Sequence, residues 1–197
     1  MQREVTIVWG KKNHVSGNGL IFAVCMVFAL AAGAAFAGEA DGQAAPEKVF
    51  RAGAAASNVT PPLGSSLSGS MRDRTAAHIR DELHARCLVL DDGAARIALV
   101  LVDNCLIPRH VFDTAKGLIE KETGIPADHI LMAATHSHTT PTATHIFQSE
   151  PNTDYLPFLE RRIADGVRRA VNNLEPARIA WGSGGLPGEV FNRRARP

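Results

Sequence analysis

Short apolar runs separated by turn residues dominate the first half of the folded region. Residues 86–90 and 96–102 are two such runs, and the Asp-Asp-Gly sequence at 91–93 predicts a β-hairpin with a short glycine-containing loop between them. Another strand-like segment begins at residue 49, and the prolines at 61–62 prevent a helix after it because proline has no backbone N–H to donate. We therefore expect strands rather than helices in this part of the chain.

Helical spacing of the apolar residues follows the hairpin. In residues 110–124 the apolar positions recur every three or four residues, which predicts an amphipathic helix that ends at Gly124. The next apolar run, residues 129–135, predicts a strand. A strand, a helix and a strand within about 40 residues are typical of a βαβ unit, in which the two strands are parallel and belong to one sheet.

A second amphipathic helix is predicted over residues 154–176, where Pro176 ends it. The following segment, ARIAWGSG at 177–184, predicts one more strand. The expected fold class is α/β: a mixed sheet with a βαβ unit flanked by helices, in an incomplete domain. The apolar stripe of the second helix consists of Leu156, Leu159, Ile163, Val167, Ala170, Val171 and Leu174.

The amino-terminal 37 residues carry the features of an export signal. Two lysines precede an uncharged apolar run at 20–37, which ends in Ala-Phe-Ala, the pattern at which signal peptidase cleaves. We expect residues 1–37 to be a signal peptide, residues 38–48 a linker and residues 49–197 the exported domain, secreted or periplasmic. The alternative is a membrane anchor through residues 20–37, because a bilayer-spanning helix needs about 20 apolar residues.

The net charge bears on the class of partner, and the two remaining cysteines bear on whether the domain contains a disulfide. The formal net charge is +1 with no basic cluster along the chain, so a nucleic acid is not an expected partner. Cleavage of the leader would leave Cys87 and Cys105. In an exported protein they can form a disulfide, whereas their apolar surroundings favour two buried thiols, and the sequence leaves both interpretations open.

The candidate chemistry lies at the ends of the two predicted parallel strands. Asp103 follows the first strand, and His136 and His138 follow the second, within the stretch AATHSHTTPTATH at 133–145. Ligands of open α/β sheets bind outside the carboxyl ends of the strands. Two histidines at i and i+2 project to the same face of an extended backbone, which suits two ligands of one metal ion.

A catalytic zinc ion needs about three protein ligands and one open position, and this stretch offers two good candidates. His145 is a weaker third candidate, because Pro141 and irregular spacing separate it from the pair. The alternative interpretation is that all three histidines are ordinary residues of a polar loop.

Five segments in a fixed order resemble a known family: AGAAASNVTPPLGSSLSG, AHIRDELHARCLVLDDG, IALVLVDN, ILMAATHSHTTP and VFNRRARP. Together they are similar to the amino-terminal part of the neutral/alkaline non-lysosomal ceramidase family, over residues 49–197. The chain departs from the family pattern at several positions: Asn58 replaces an aspartate, Thr140 replaces a glycine, and His78 and Arg80 differ from the common residues.

The resemblance implies a zinc-dependent amidase that cleaves the N-acyl amide of ceramide into sphingosine and a fatty acid. His136 matches a zinc ligand of the family, and His138 matches a catalytic residue beside the metal. Asp103 matches an aspartate at the end of a strand close to the catalytic site. A ceramide-like lipid substrate would also bring the protein to a membrane surface.

In the family, a second histidine ligand, a glutamate, a tyrosine and a serine-bearing loop come later in the chain. We therefore expect residues 49–197 to be the front of a catalytic domain that by itself binds zinc weakly and catalyses nothing. Two alternatives remain: an inactive exported module that binds a lipid or glycan, and a related metallohydrolase with a different amide or ester substrate.

Overall fold

The computed structural model describes residues 48–185. The predicted signal peptide at 1–37, nearly all of the predicted linker and the NRR segment at 192–194 lie outside these residues. Among the helices that are described, none has the length and apolar character needed to cross a bilayer.

A five-stranded mixed sheet forms the centre of the described chain, with the strands in the order β4-β3-β2-β1-β5. Only β3 and β4 run parallel, and the other neighbours are antiparallel. The predicted fold class, a mixed sheet containing a βαβ unit, is confirmed. The strands are β1 (Arg51–Asn58), β2 (His84–Asp91), β3 (Arg96–Val102), β4 (Ile130–Ala134) and β5 (Glu175–Pro176).

Helix α1 (Arg109–Thr123) connects the two parallel strands, as the apolar spacing predicts. Gly124 follows it with a φ of 71°, the left-handed conformation that glycine adopts without steric cost, and its N–H donates to the Glu120 carbonyl at 2.9 Å. A short 3-10 turn, Ala127–His129, then leads into β4. The carboxyl ends of β3 and β4 therefore lie side by side at one edge of the sheet.

The β2–β3 hairpin is held by a buried carboxylate. The Asp91 side chain accepts hydrogen bonds from Arg51 Nη2 at 3.0 Å, Arg96 Nε at 2.8 Å and the Gly93 N–H at 2.8 Å. The hydrogen bond from Arg96, together with the positive charges of both arginines, lowers the pKa of Asp91, although burial acts in the opposite direction. Asp91 thus joins β1, the loop and β3.

Helix α2 (Tyr155–Asn172) packs on the sheet through a glycine. A Cβ at Gly166 would lie 2.7 Å from Cys87 Sγ and 3.2 Å from Ser57 Cβ, so only glycine allows this close approach to β1 and β2. Burial raises the pKa of the Cys87 thiol to about 12. Both helices share one core with a single face of the sheet; its members include Val89, Val100, Val102, Val111, Ile119, Ile130, Leu159, Ile163 and Val167.

The predicted strand at 177–184 is wrong. The last strand is the two-residue β5, which pairs with Arg51 and Ala52, and residues 177–185 continue without regular structure. Pro176 lies in this strand rather than at the end of a helix, because α2 already ends at Asn172. Proline is tolerated in β5 because this strand lies at the edge of the sheet. The missing N–H of proline therefore removes no hydrogen bond between strands.

The other face of the sheet is apolar and uncovered by any of residues 48–185. Two rows of side chains cross it from β1 to β4: Ala54, Leu88, Leu99 and Leu131 in the first, and Ala56, Arg86, Leu101 and Ala133 in the second. Leu131 is 66% exposed and Leu101 is 43% exposed. The strands of this sheet therefore carry apolar residues on both faces, although the described helices cover only one.

Candidate metal centre

The loop after β4 holds His136 in a strained conformation. Its N–H donates to the Asn104 carbonyl at 2.9 Å, and the Thr135 N–H donates to the Val102 carbonyl at 2.9 Å, so the loop stays paired with the chain that follows β3. His136 has a φ of 62°, in the left-handed region that residues other than glycine rarely adopt. Such strain concentrates at functional sites, where the surrounding structure holds it in place.

The side chains of His136 and His138 converge through their Nε2 atoms, which lie 3.4 Å apart. The rings meet edge to face, with centroids 4.9 Å apart and planes at 84°. Two imidazole ligands about 2.0–2.1 Å from a tetrahedral zinc ion would have nitrogens about 3.3–3.4 Å apart. The sequence predicts that both rings project from one face of an extended backbone. The backbone is instead turned at His136, and this turn brings the two rings together.

The other ring nitrogen of His136 is engaged by the backbone. Nδ1 lies 2.8 Å from the carbonyl oxygen of Cys105, and because a carbonyl can only accept, Nδ1 carries the proton. This assigns the lone pair to Nε2, the atom that faces His138. Metal-binding histidines commonly have this arrangement, in which a carbonyl bond to one nitrogen orients the other toward the metal.

Cys105 supplies a third donor beside the two histidines. One ligand atom each from Cys105, His136 and His138 can be chosen so that all three lie within 4.8 Å of one another. The Cys105 side chain is buried, 4% exposed, and its Sγ lies 3.8 Å from His136 Nδ1. The sequence alone indicates for Cys105 only a buried thiol or a disulfide partner. The available signal was its position at the end of β3, the parallel neighbour of the strand that carries the histidines.

A loop before β2 supports the histidine loop from one side. The Ser68 N–H donates to the Thr140 carbonyl at 3.0 Å, and Arg74 Nη2 donates to the His138 carbonyl at 3.1 Å. Gly69, with a φ of 98°, lies so close that a Cβ on it would be 2.4 Å from His138 Cβ. Nothing in the sequence indicates this contact, because the two positions are 69 residues apart along the chain.

Asp103 lies at the end of β3 but outside this donor group. Its carboxylate accepts from Arg86 Nη1 at 2.7 Å to each oxygen and from the His84 N–H at 3.0 Å. Together with Arg86, Ser137 and Thr139, Asp103 lines a cleft of about 650 Å³. The histidine loop thus contributes to two places: its imidazoles lie near Cys105, and its residues Ser137 and Thr139 line the same cleft as Asp103.

The remaining candidates are placed elsewhere in the described part of the chain. His145 is exposed, and its Nδ1 lies 2.6 Å from Glu150 Oε1, so it does not contribute to the donor group. Cys87 and Cys105 are both free and buried, which decides for the buried-thiol interpretation.

This chain is similar to known proteins in its fold but not detectably in its sequence. No protein-family model matches the chain, and no curated protein matches it by sequence. Neutral ceramidase from Pseudomonas aeruginosa matches 66% of this chain at 20% identity with a TM-score of 0.60, and a ceramidase complexed with C2 matches the same share at 20% identity with a TM-score of 0.57. The match spans 22% of each of those chains. The chain therefore has a ceramidase-like fold over two thirds of its length.

Proposed function

We propose that this chain belongs to an exported zinc-dependent amide hydrolase of ceramidase type. The observation that carries the proposal is the pair of Nε2 atoms of His136 and His138, 3.4 Å apart, at the carboxyl edge of a ceramidase-like sheet. This spacing puts His138 close to a metal ion that His136 Nε2 would hold. Two of the segments that resemble the ceramidase family, IALVLVDN and ILMAATHSHTTP, form β3, β4 and the starts of the loops that follow them.

His136 is the metal ligand in this proposal. Its Nδ1–H donates to the Cys105 carbonyl, so the ring keeps one orientation and one tautomer while Nε2 faces the metal position. A bound zinc ion would polarise an amide carbonyl and lower the pKa of water. His138 lies beside that position, where it can orient a substrate or exchange a proton during amide cleavage.

Asp103 acts on the substrate side through Arg86 in this proposal. The Arg86 guanidinium and the Asp103 carboxylate form a charged pair with N–O distances of 2.7 Å, and both line the cleft that also contains Ser137 and Thr139. Such a cleft offers donors and acceptors to the amide and hydroxyl groups of a ceramide-like lipid. The structural relatives are described as ceramidases, one of them complexed with C2, which supports a lipid amide as the substrate.

Hydrolysis of a fluorescent short-chain ceramide tests the proposal. The assay is run on this chain and on any longer natural polypeptide that contains it, with added zinc and with a chelator. In the longer polypeptide we expect hydrolysis that requires metal and that falls about 100-fold or more in His136→Ala, because a ligand is lost. His145→Ala is the control, since that exposed histidine pairs with Glu150 outside the donor group.

Two results would replace the proposal. Binding of ceramide vesicles without hydrolysis by either polypeptide would indicate an inactive lipid-binding module. Metal-dependent cleavage of other acyl amides or esters, with ceramide left intact, would indicate a related metallohydrolase.

A further inference from the structure

We propose that Asn104 is a positioning residue of the candidate metal centre. Its side chain fixes the peptide group whose carbonyl determines the tautomer and the ring orientation of His136. The inference deepens the proposed function, on which it rests, by naming what prepares His136 before any metal is bound. Asn104 directly follows Asp103 in the loop after β3, and it is 0% exposed.

Two consecutive carbonyls of this loop hold His136. The Asn104 carbonyl accepts from the His136 N–H at 2.9 Å, and the Cys105 carbonyl accepts from its ring Nδ1 at 2.8 Å. The first bond holds the backbone at its φ of 62°, and the second holds the ring. Because a carbonyl can only accept, the second bond also keeps the proton on Nδ1 and the lone pair on Nε2. The direction of the Cys105 carbonyl therefore decides where His136 presents its lone pair.

The side chain of Asn104 sets the direction of that carbonyl. Its Oδ1 accepts from the Leu106 N–H at 3.2 Å, which forms an Asx turn. The Leu106 N–H and the Cys105 carbonyl belong to one planar peptide group, in which the N–H and the C=O of a trans peptide point in opposite directions. Asn104 Oδ1 thus holds this peptide from one side and His136 Nδ1 holds it from the other. Without the bond from Asn104, the peptide would be free to rotate and to turn its carbonyl away from the ring.

Stability alone does not explain an asparagine at this buried position. Asn104 Nδ2 has no hydrogen-bond partner among residues 48–185, and a buried amide donor without an acceptor destabilises a folded protein. A leucine would have nearly the same shape and would bury no donor. The acceptor that Asn104 supplies to the Leu106 N–H is therefore the feature that accounts for it.

The tautomer of His136 in the metal-free chain tests the inference without an activity assay. We would record ¹⁵N NMR spectra at an alkaline pH at which free histidine is neutral, and identify the His136 signals by their loss in His136→Gln. In the wild type we expect the shift of a protonated nitrogen at Nδ1 and that of an unprotonated nitrogen at Nε2. In Asn104→Leu both shifts should move to intermediate values, because the proton then exchanges between the two nitrogens. Asn104→Asp keeps the Oδ1 acceptor and should retain the wild-type shifts.

Ser57→Ala is the matched control. Ser57 is also fully buried, and its Oγ lacks a hydrogen-bond partner in the described part of the chain, but it lies in β1 close to Gly166 of α2. The His136 shifts should be unchanged in this variant, and far-ultraviolet circular dichroism confirms that each variant is folded. Unchanged His136 shifts in Asn104→Leu, or equal changes in Ser57→Ala, would overturn the role of Asn104 and leave His136 as the proposed ligand.

The consequence for the metal is measured in the longer natural polypeptide. Asn104→Leu should weaken zinc binding about 10–100-fold, the loss expected when a contact that orients a ligand is removed, and Asn104→Asp should bind zinc more tightly than Asn104→Leu. A mixed tautomer with unchanged zinc affinity would show that Asn104 does not prepare His136 for metal. If the longer polypeptide neither bound zinc nor cleaved ceramide, the proposed function would fail, while the tautomer in this chain would still decide whether Asn104 orients His136.

Discussion

Gly69 shows how a single residue without a side chain shapes the candidate metal centre. Its positive φ of 98° is a conformation that glycine adopts freely, and its missing Cβ leaves room for the Cβ of His138. The imidazole positions therefore depend on a loop that is distant in sequence. The strained backbone of His136 also depends on a distant segment. The His136 N–H donates a hydrogen bond to the carbonyl of Asn104, in the chain that follows β3.

Gly69→Ala should displace His138 and weaken metal binding about 10–100-fold, because the added Cβ would lie 2.4 Å from His138 Cβ. The free energy of unfolding should also fall by about 1–3 kcal/mol, from backbone strain and overpacking. Metal titration and urea unfolding measure the two effects.

The control is Gly117→Ala, an exposed position on α1 with open space around it. This control should keep the metal affinity and gain up to about 1 kcal/mol. A Gly69→Ala protein identical to the wild type in both measurements would show that the contact has no role.

The β2–β3 hairpin shows at the level of an element how charge specifies a turn. Asp91 is 3% exposed and accepts hydrogen bonds from two arginines of different strands. Because its pKa is lowered in the folded protein, its contribution to stability is fully present above the ordinary aspartate pKa of about 3.9. The contribution is lost as the pH falls through the lowered folded pKa.

Asp91→Asn should lower the free energy of unfolding by about 1–2 kcal/mol at pH 7, since the charged hydrogen bonds to Arg51 and Arg96 are lost. The difference from wild type should shrink steadily below about pH 4, where the wild-type carboxyl itself becomes protonated. Urea unfolding across the pH range measures this. Asp113→Asn, which breaks an exposed pair with Arg109, should change stability by less than about 0.5 kcal/mol at any pH. A constant difference down to pH 2 would contradict the electrostatic explanation.

At the scale of the whole molecule, the sheet has one face covered by α1 and α2 and one apolar face left open by residues 48–185. Adjacent residues of β4 report on the two faces. Ile130 is 3% exposed and belongs to the core, whereas Leu131 is 66% exposed on the open face. The two side chains have the same number of carbons, so truncating each one compares the faces directly.

Ile130→Ala should reduce the free energy of unfolding by about 2–5 kcal/mol, because it leaves a cavity between the sheet and the helices. Leu131→Ala should change it by no more than about 0.5 kcal/mol, since an exposed side chain loses few contacts. Chemical unfolding of both variants at several protein concentrations gives the comparison. Equal losses in the two variants would mean that the open face is covered in solution.

The periodicity of apolar residues is sufficient to predict the hairpin, the βαβ unit, both helices and the placement of Asp103 and His136 at strand ends. These features depend on neighbours in sequence, since strand and helix patterns arise from residues two to four positions apart. The two-residue strand β5 escaped prediction, because its pairing with Arg51 and Ala52 depends on where α2 ends.

The grouping of Cys105, His136 and His138 at the candidate metal centre is decided by tertiary structure. Cys105 reaches His136 only because β3 and β4 are parallel neighbours, and the rings converge only because His136 adopts a left-handed turn. The support from Gly69 and Arg74 comes from a loop more than 60 residues away along the chain. Apolar spacing specifies which face of an element is buried, but it carries no information about which distant backbone will pack against a given side chain. The histidines are therefore visible in the sequence, whereas their approach to Cys105 exists only in the folded chain.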